Sequence, residues 1–237
     1  MASSVDPNMK GLYRLGGMSG IVLSISYIII TLLYVLGGAL PDGAEEWLRH
    51  LAAHTPEWWA ILGLSVLTDF LFLFVAWALY AALKEVDSHA MAAGAGFLIM
   101  FVVLDLAVTW PNFSALITLS GKYAAAVEDA QRVALVASAN YAFEVLSSSL
   151  FAIYAILVPA LGILIIGWVM LKGAFSKITA WLGIATGILG IISVAGPFFI
   201  SALGMAAILT SVLTTVWVFL AGFQLLRLGR LSTVPES

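Results

Sequence analysis

An all-α bundle that crosses a membrane six times is the fold class this sequence predicts, and three observations predict it. Of 237 residues, 62% are hydrophobic and only 10% charged. Mean hydropathy is +1.09. Apolar stretches of about 20 residues, the length that carries a helix through hydrocarbon, occur six times. Soluble domains do not have this composition. The net charge of −3 describes loops, and no basic run suits phosphate, so nucleic acid is not an expected partner whereas membrane lipid is. No cysteine occurs, which removes disulfides, thiolate metal sites, iron–sulfur clusters and cysteine nucleophiles together.

The elements follow in order. The first span, 18–40, has the length of a retained helix and no small-residue cleavage site; Pro41-Asp42-Gly43 closes it. From 43 to 54, Trp47, Leu48 and Leu51 fall on one side of a short helix and Glu45, Glu46, Arg49 and His50 elsewhere. That pattern predicts an amphipathic helix lying on the outer membrane surface. Thr55-Pro56-Glu57 opens the second span, 58–83, and Asp87-Ser88 caps the third, 90–110. The stretch 111–145 is moderately apolar, carries Lys122, Glu128, Asp129 and Arg132 and is too long for a bare loop, so it predicts helical extensions of spans three and four with a turn near Gly121, standing above the membrane or folding back into it. The fourth span, 146–171, ends at Lys172-Gly173, and Gly204 makes a short turn between the fifth, 178–200, and the sixth, 205–226. Pro111 and Pro159 predict kinks, because each removes an amide donor from the helical ladder. The whole of 1–237 reads as one integral membrane domain, and no inverted repeat aligns its halves.

Basic residues set the orientation, since cytoplasmic loops are enriched in them. With the amino terminus inside, Lys10, Arg14, Lys84, Lys172, Lys177, Arg227 and Arg230 are cytoplasmic, leaving Arg49, Lys122 and Arg132 outside. Both termini are therefore expected in the cytoplasm. Trp58, Trp59, Trp110, Trp168 and Trp181 lie near span ends, as an aromatic belt requires, while Trp77 and Trp217 are deeper and predict helix contacts. In span five, Gly183, Gly187, Gly190 and Gly196 recur near helical spacing beside Ala185 and Ser193. This small-residue face predicts close packing within one subunit, with contact to a second copy or a partner membrane protein as the alternative.

Three acids carry the functional signal. Asp69 and Asp105 lie within apolar spans that contain no Lys, Arg or His, and Glu144 lies just before span four in the same long apolar region. A carboxylate at the centre of a membrane helix costs roughly 2.5–3.5 kcal/mol, so each marks an interior or functional position. At about 1.5 Å per residue, Asp69 and Asp105 stand roughly 22–24 Å from the flanks Lys84 and His89, on a common level. Glu144 stands roughly 42 Å from Lys172 along a straight helix, above the other two at an outer mouth. Ser65 and Thr109 share helical faces with Asp69 and Asp105, and Asn140 precedes Glu144 by one turn. Together they predict an outward-opening cavity whose acids, lacking basic partners, bind a cation or hold a proton. A structural role, each acid protonated and hydrogen-bonded to a neighbouring helix, is the alternative.

Glu46, His50 and His54 recur every four residues, placing three metal-ligand types on one face of the external helix, although a solvated polar face has the same spacing. No cofactor is expected. Without an intramembrane histidine there is no bis-imidazole haem, without an intramembrane lysine no retinal Schiff base. Neither a phosphate-binding glycine loop nor a Gly-x-Ser-x-Gly elbow is present.

Three segments carry a family resemblance: Tyr13-Arg14-Leu15-Gly16-Gly17-Met18-Ser19-Gly20, Leu79-Tyr80-Ala81-Ala82-Leu83-Lys84 and Ser176-Lys177-Ile178-Thr179-Ala180-Trp181-Leu182-Gly183. In their order the chain resembles a family of six-span prokaryotic membrane proteins labelled only as a domain of unknown function. The resemblance implies the six-span count and a prokaryotic inner-membrane location, and it brings no activity or site residues. Function therefore rests on the acids. A small transporter or channel for protons, cations or a small cationic solute comes first. An accessory subunit binding a partner, lipid or pigment follows, and an intramembrane enzyme using paired acids is last.

Overall fold

The computed structural model describes residues 9–38 and 41–231, so the predicted end of span one at Leu40 lies outside the described residues. Among the described residues every regular element is helical. In chain order these are α1 (Lys10–Gly37), α2 (Ala44–Ala53), α3 (Thr55–Leu83), α4 (Ser88–Leu104), α5 (Trp110–Ala125), α6 (Asp129–Ser147), α7 (Ser149–Ala152), α8 (Val158–Met170), α9 (Lys177–Ala195) and α10 (Ala206–Leu231). Six helical stretches are long and apolar enough to cross a membrane: Lys10–Gly37, Thr55–Leu83, Ser88–Ala125, Ser149–Met170, Lys177–Phe198 and Ser201–Arg230. Only a helix or a closed barrel satisfies its own backbone in hydrocarbon, which is why apolar runs of this length fold as they do.

Local chemistry sets the breaks. The Asp87 carboxylate accepts from the Ala90 amide at 3.0 Å and starts α4. Ser148 and Ser176 do the same for α7 and α9, accepting from the Phe151 and Thr179 amides at 3.1 Å. The two expected proline kinks take the form of π-helical turns, Asp105–Thr109 between α4 and α5 and Ile153–Leu157 between α7 and α8. Trp110 donates its amide to the Asp105 carbonyl and Val158 to the Ile153 carbonyl, each five residues back. Pro111 and Pro159 follow immediately. One extra residue in the preceding turn moves the carbonyl that a proline ring would strike, so the helix widens instead of breaking.

α1 packs between α3 and α10, α9 between α8 and α10, and α4 against α8. Small residues permit the closest of these approaches. A Cβ on Gly17 would lie 2.7 Å from the Gly222 carbonyl oxygen, and one on Gly222 would lie 2.9 Å from the Gly17 carbonyl oxygen. The glycine face of span five is occupied inside the chain: side chains at Gly183, Gly187 and Gly190 would meet Trp217, Leu164 and Ala160 at 2.4–2.6 Å. Trp217 is fully buried, whereas Trp77 is 59% exposed and faces outward, contrary to its expected role in a helix contact.

Outside the bundle, α2, α5 and α6 pack on one another as a small cap. Here two expectations are corrected. The apolar face of α2 is covered by protein, with Trp47, Leu48 and Leu51 buried beside Phe113, Leu116 and Ala139. Its hydrophobic pattern is that of an interfacial helix, but the polar extension supplies a better apolar partner than headgroups do. The turn falls at 126–128, where Ala126 and Glu128 are extended, and Gly121 sits inside α5. The helix from Ser88 to Ala125 has 38 residues, about 57 Å at 1.5 Å each. That exceeds an approximately 30 Å hydrocarbon layer and lifts its end clear of it.

Candidate functional site

A cavity of about 680 Å³ lies among α1, α3, the two π-helical turns, α8 and α10. Asp69 reaches it from the middle of α3 and Asp105 from the first position of a π-helical turn. They are 2% and 6% exposed. The Trp110 indole donates to Oδ2 of Asp69 at 2.6 Å. Thr109 donates to Oδ1 of Asp105 at 2.5 Å, and its hydroxyl oxygen lies 3.2 Å from the Tyr154 hydroxyl. Thr109 has one proton to give and gives it to Asp105, so Tyr154 is the donor in the second bond. The result is a short relay, Tyr154 to Thr109 to Asp105, joining the two π-helical turns.

Each acid thus spends one oxygen. Oδ1 of Asp69 and Oδ2 of Asp105 receive no protein hydrogen bond among the described residues, and both residues line the cavity. No Lys, Arg or His lines it. Hydroxyls from Ser65, Thr68, Tyr27 and Tyr34 are distributed around walls that are otherwise aliphatic and aromatic, including Phe72, Phe101 and Ile163. A bare carboxylate pair in such surroundings is strongly disfavoured.

Sequence reasoning selected Asp69, Asp105, Ser65 and Thr109, and the fold brings all four to this cavity. Asn140 and Glu144 do not reach it; both are exposed on α6. The depth assigned to Glu144 assumed one straight helix into span four. The chain instead ends α6 at Ser147, turns through an extended Ser148 and begins again. Trp110 and Tyr154 went unselected, the first read as a belt residue. Their signal was the proline that follows each π-helical turn, since such widened turns gather at functional positions.

The cap does not assemble the Glu46, His50 and His54 set as a metal site. Glu46 turns to Arg49 at 3.2 Å, and Nδ1 of His54 lies 3.2 Å from the His50 carbonyl oxygen. Among the described residues no group of three His, Cys, Asp or Glu is placed to hold a metal ion. Burial, with the nearby His54, lowers the pKa of His50 from its ordinary 6.5. The hydroxyl of Tyr123 donates to Glu45 at 2.7 Å and, with Arg49, lowers that carboxyl from 4.5.

Six apolar spans around a buried carboxylate cavity define the class: a multi-pass, membrane-spanning helical protein. Residues 15–229 match the family described as Domain of unknown function (DUF4386), and the chain belongs to it. No curated protein and no solved structure matches the chain. The resemblance read from the three sequence segments is thus to a family that matches nearly the whole chain.

Proposed function

We propose that this protein is a small membrane transporter or channel that handles protons, cations or a small cationic solute, with Asp69 and Asp105 as the binding groups. The observation that carries this reading is the pair of nearly inaccessible carboxylates in one cavity without a basic residue on its walls. Two acids that share a cavity can exchange a proton for a cation, which is the elementary step of coupled or facilitated passage. Tyr154 and Thr109 hold Asp105, Trp110 holds Asp69, and the widened turns give the backbone beside them slack to adjust. Glu144 and Asn140, on the cap, have no part in binding.

The positive-inside bias supports cytoplasmic termini and an external cap, and the resemblance to a family of prokaryotic membrane proteins supports a prokaryotic inner membrane as the setting. Lipid is then the immediate partner of the exposed apolar surface. A homo-oligomer, if formed, uses a face other than the span-five glycines, which meet α8 and α10.

The test is flux of protons and small cations into liposomes holding the full chain. Asp69→Asn and Asp105→Asn should each lower it at least tenfold. Flux that survives both substitutions at wild-type rate overturns the reading.

A further inference from the structure

The cavity is larger and more apolar than a bare ion alone requires. Its volume is about 680 Å³, far more than one ion fills, and largely apolar walls do not hold water well. Its position supplies a second clue. α1 and α10 are in tight contact at Gly17, Gly20 and Gly222, and the Ser24 hydroxyl lies 3.2 Å from the Thr215 carbonyl oxygen. Beyond Ser24 on α1 and before Thr215 on α10, the same seam becomes a cavity wall. Several residues that line it there are also strongly exposed, as side chains turned to lipid would be: Ile28 is 55% exposed, Leu32 56%, Ile208 68% and Val212 53%, while Ile30 and Thr210 beside them are buried. One continuous wall therefore runs from lipid-facing aliphatic side chains to two carboxylates that are almost fully enclosed.

We infer that the cavity takes an amphiphilic cation from the lipid phase, sideways between the outer halves of α1 and α10, with its charged amine at Asp69 and Asp105 and its apolar body along the seam. This inference rests on the proposed handling of positive charge by the two acids and names the class of molecule that carries the charge. The free oxygens Oδ1 of Asp69 and Oδ2 of Asp105 supply acceptors for an ammonium group, which has donors only. Fatty acids and other anions are excluded by the same charges. A molecule with an alkyl body is already concentrated in the bilayer, where the seam opens.

Full-length protein in lipid nanodiscs, with tritiated dodecylammonium as probe and empty nanodiscs as background, tests this. Saturable binding is expected, displaced by unlabelled dodecylammonium but not by dodecanol or dodecanoate. Asp69→Asn and Asp105→Asn should weaken it at least tenfold. Leu32→Trp and Ile208→Trp, at exposed positions, should slow association at least threefold. Equal displacement by dodecanol, or no saturable binding, overturns the inference; so does unchanged association in both tryptophan variants. Liposome flux separates the two proposals: carboxylate-dependent flux without dodecylammonium binding keeps the transport reading alone, and carboxylate-dependent binding without flux keeps the amphiphile site alone.

Discussion

The inner and outer halves of the α1–α10 pair are built from the same two helices and behave oppositely. Inward of Ser24 and Thr215, glycine removes the side chains that would separate the backbones, and the helices touch. Outward of that point, Tyr27, Ile28, Thr31 and Leu32 face Ile208, Ser211 and Val212 across open volume. The difference teaches that a membrane cavity need not be carved by polar residues. It forms where a close-packed glycine seam stops, and the acids of a third and fourth helix then decide what it can hold.

Filling the closed half should have the largest effect. Gly222→Leu forces a side chain against the Gly17 backbone and should cost about 1–3 kcal/mol or more, read as a lower thermal midpoint in detergent. Equal stability would show that the seam has slack. Next comes the polar lining of the open half. Tyr154→Phe deletes the donor to Thr109 and should cost about 0.5–1.5 kcal/mol, with a matching change in the pH profile of flux, because Asp105 loses the far end of its relay. A stability change without any change in that profile would assign Tyr154 to packing alone.

Acid should then separate the two halves. The outer end of α1 meets the cap at Gly37, which lies beside His50, and through Trp58 of α3, whose ring packs against Tyr34 on one side and Trp47 of α2 on the other. The folded-state pKa of His50 is lowered, so its proton is taken up more readily by the unfolded chain. Above pH 6.5 both states are neutral and nothing changes; as pH falls below 6.5 the cap loses stability. Hydrogen exchange at pH 5.5 should show weaker protection in α2 and the outer end of α1, and none of this in α1 before Ser24. His50→Gln should abolish the difference. The smallest effect belongs to the open half's rim: Ile208→Ala, at 68% exposure, should shift stability by no more than about 0.5 kcal/mol.

Span count and the elements' order were legible because hydropathy is a property of whole segments and averages over twenty residues. Asp69 and Asp105 were legible because charge in an apolar run is rare enough to stand out alone. That Glu144 does not line the cavity was not legible, because a depth estimate runs along a continuous helix and one extended residue, Ser148, ends it. The α1–α10 seam was not legible: Gly17, Gly20 and Gly222 are far apart in sequence, and their meeting is a tertiary fact. Trp110 was half legible, since its place at the end of an apolar run is that of a belt residue while its indole proton is committed to Asp69.

The cap has a consequence for biogenesis. α2 is synthesised between the first two spans, whereas α5 and α6, which cover it, are the end of the third stretch and the helix that follows it. Translation delivers the chain from its amino terminus at roughly 5–20 residues per second, so for several seconds Trp47, Leu48 and Leu51 lack the cover that α5 and α6 later give them. During that interval the membrane surface is the available shelter, and an amphipathic helix is what such a surface retains. The pattern that misplaces α2 when read for the finished molecule describes where it waits while the rest is being made.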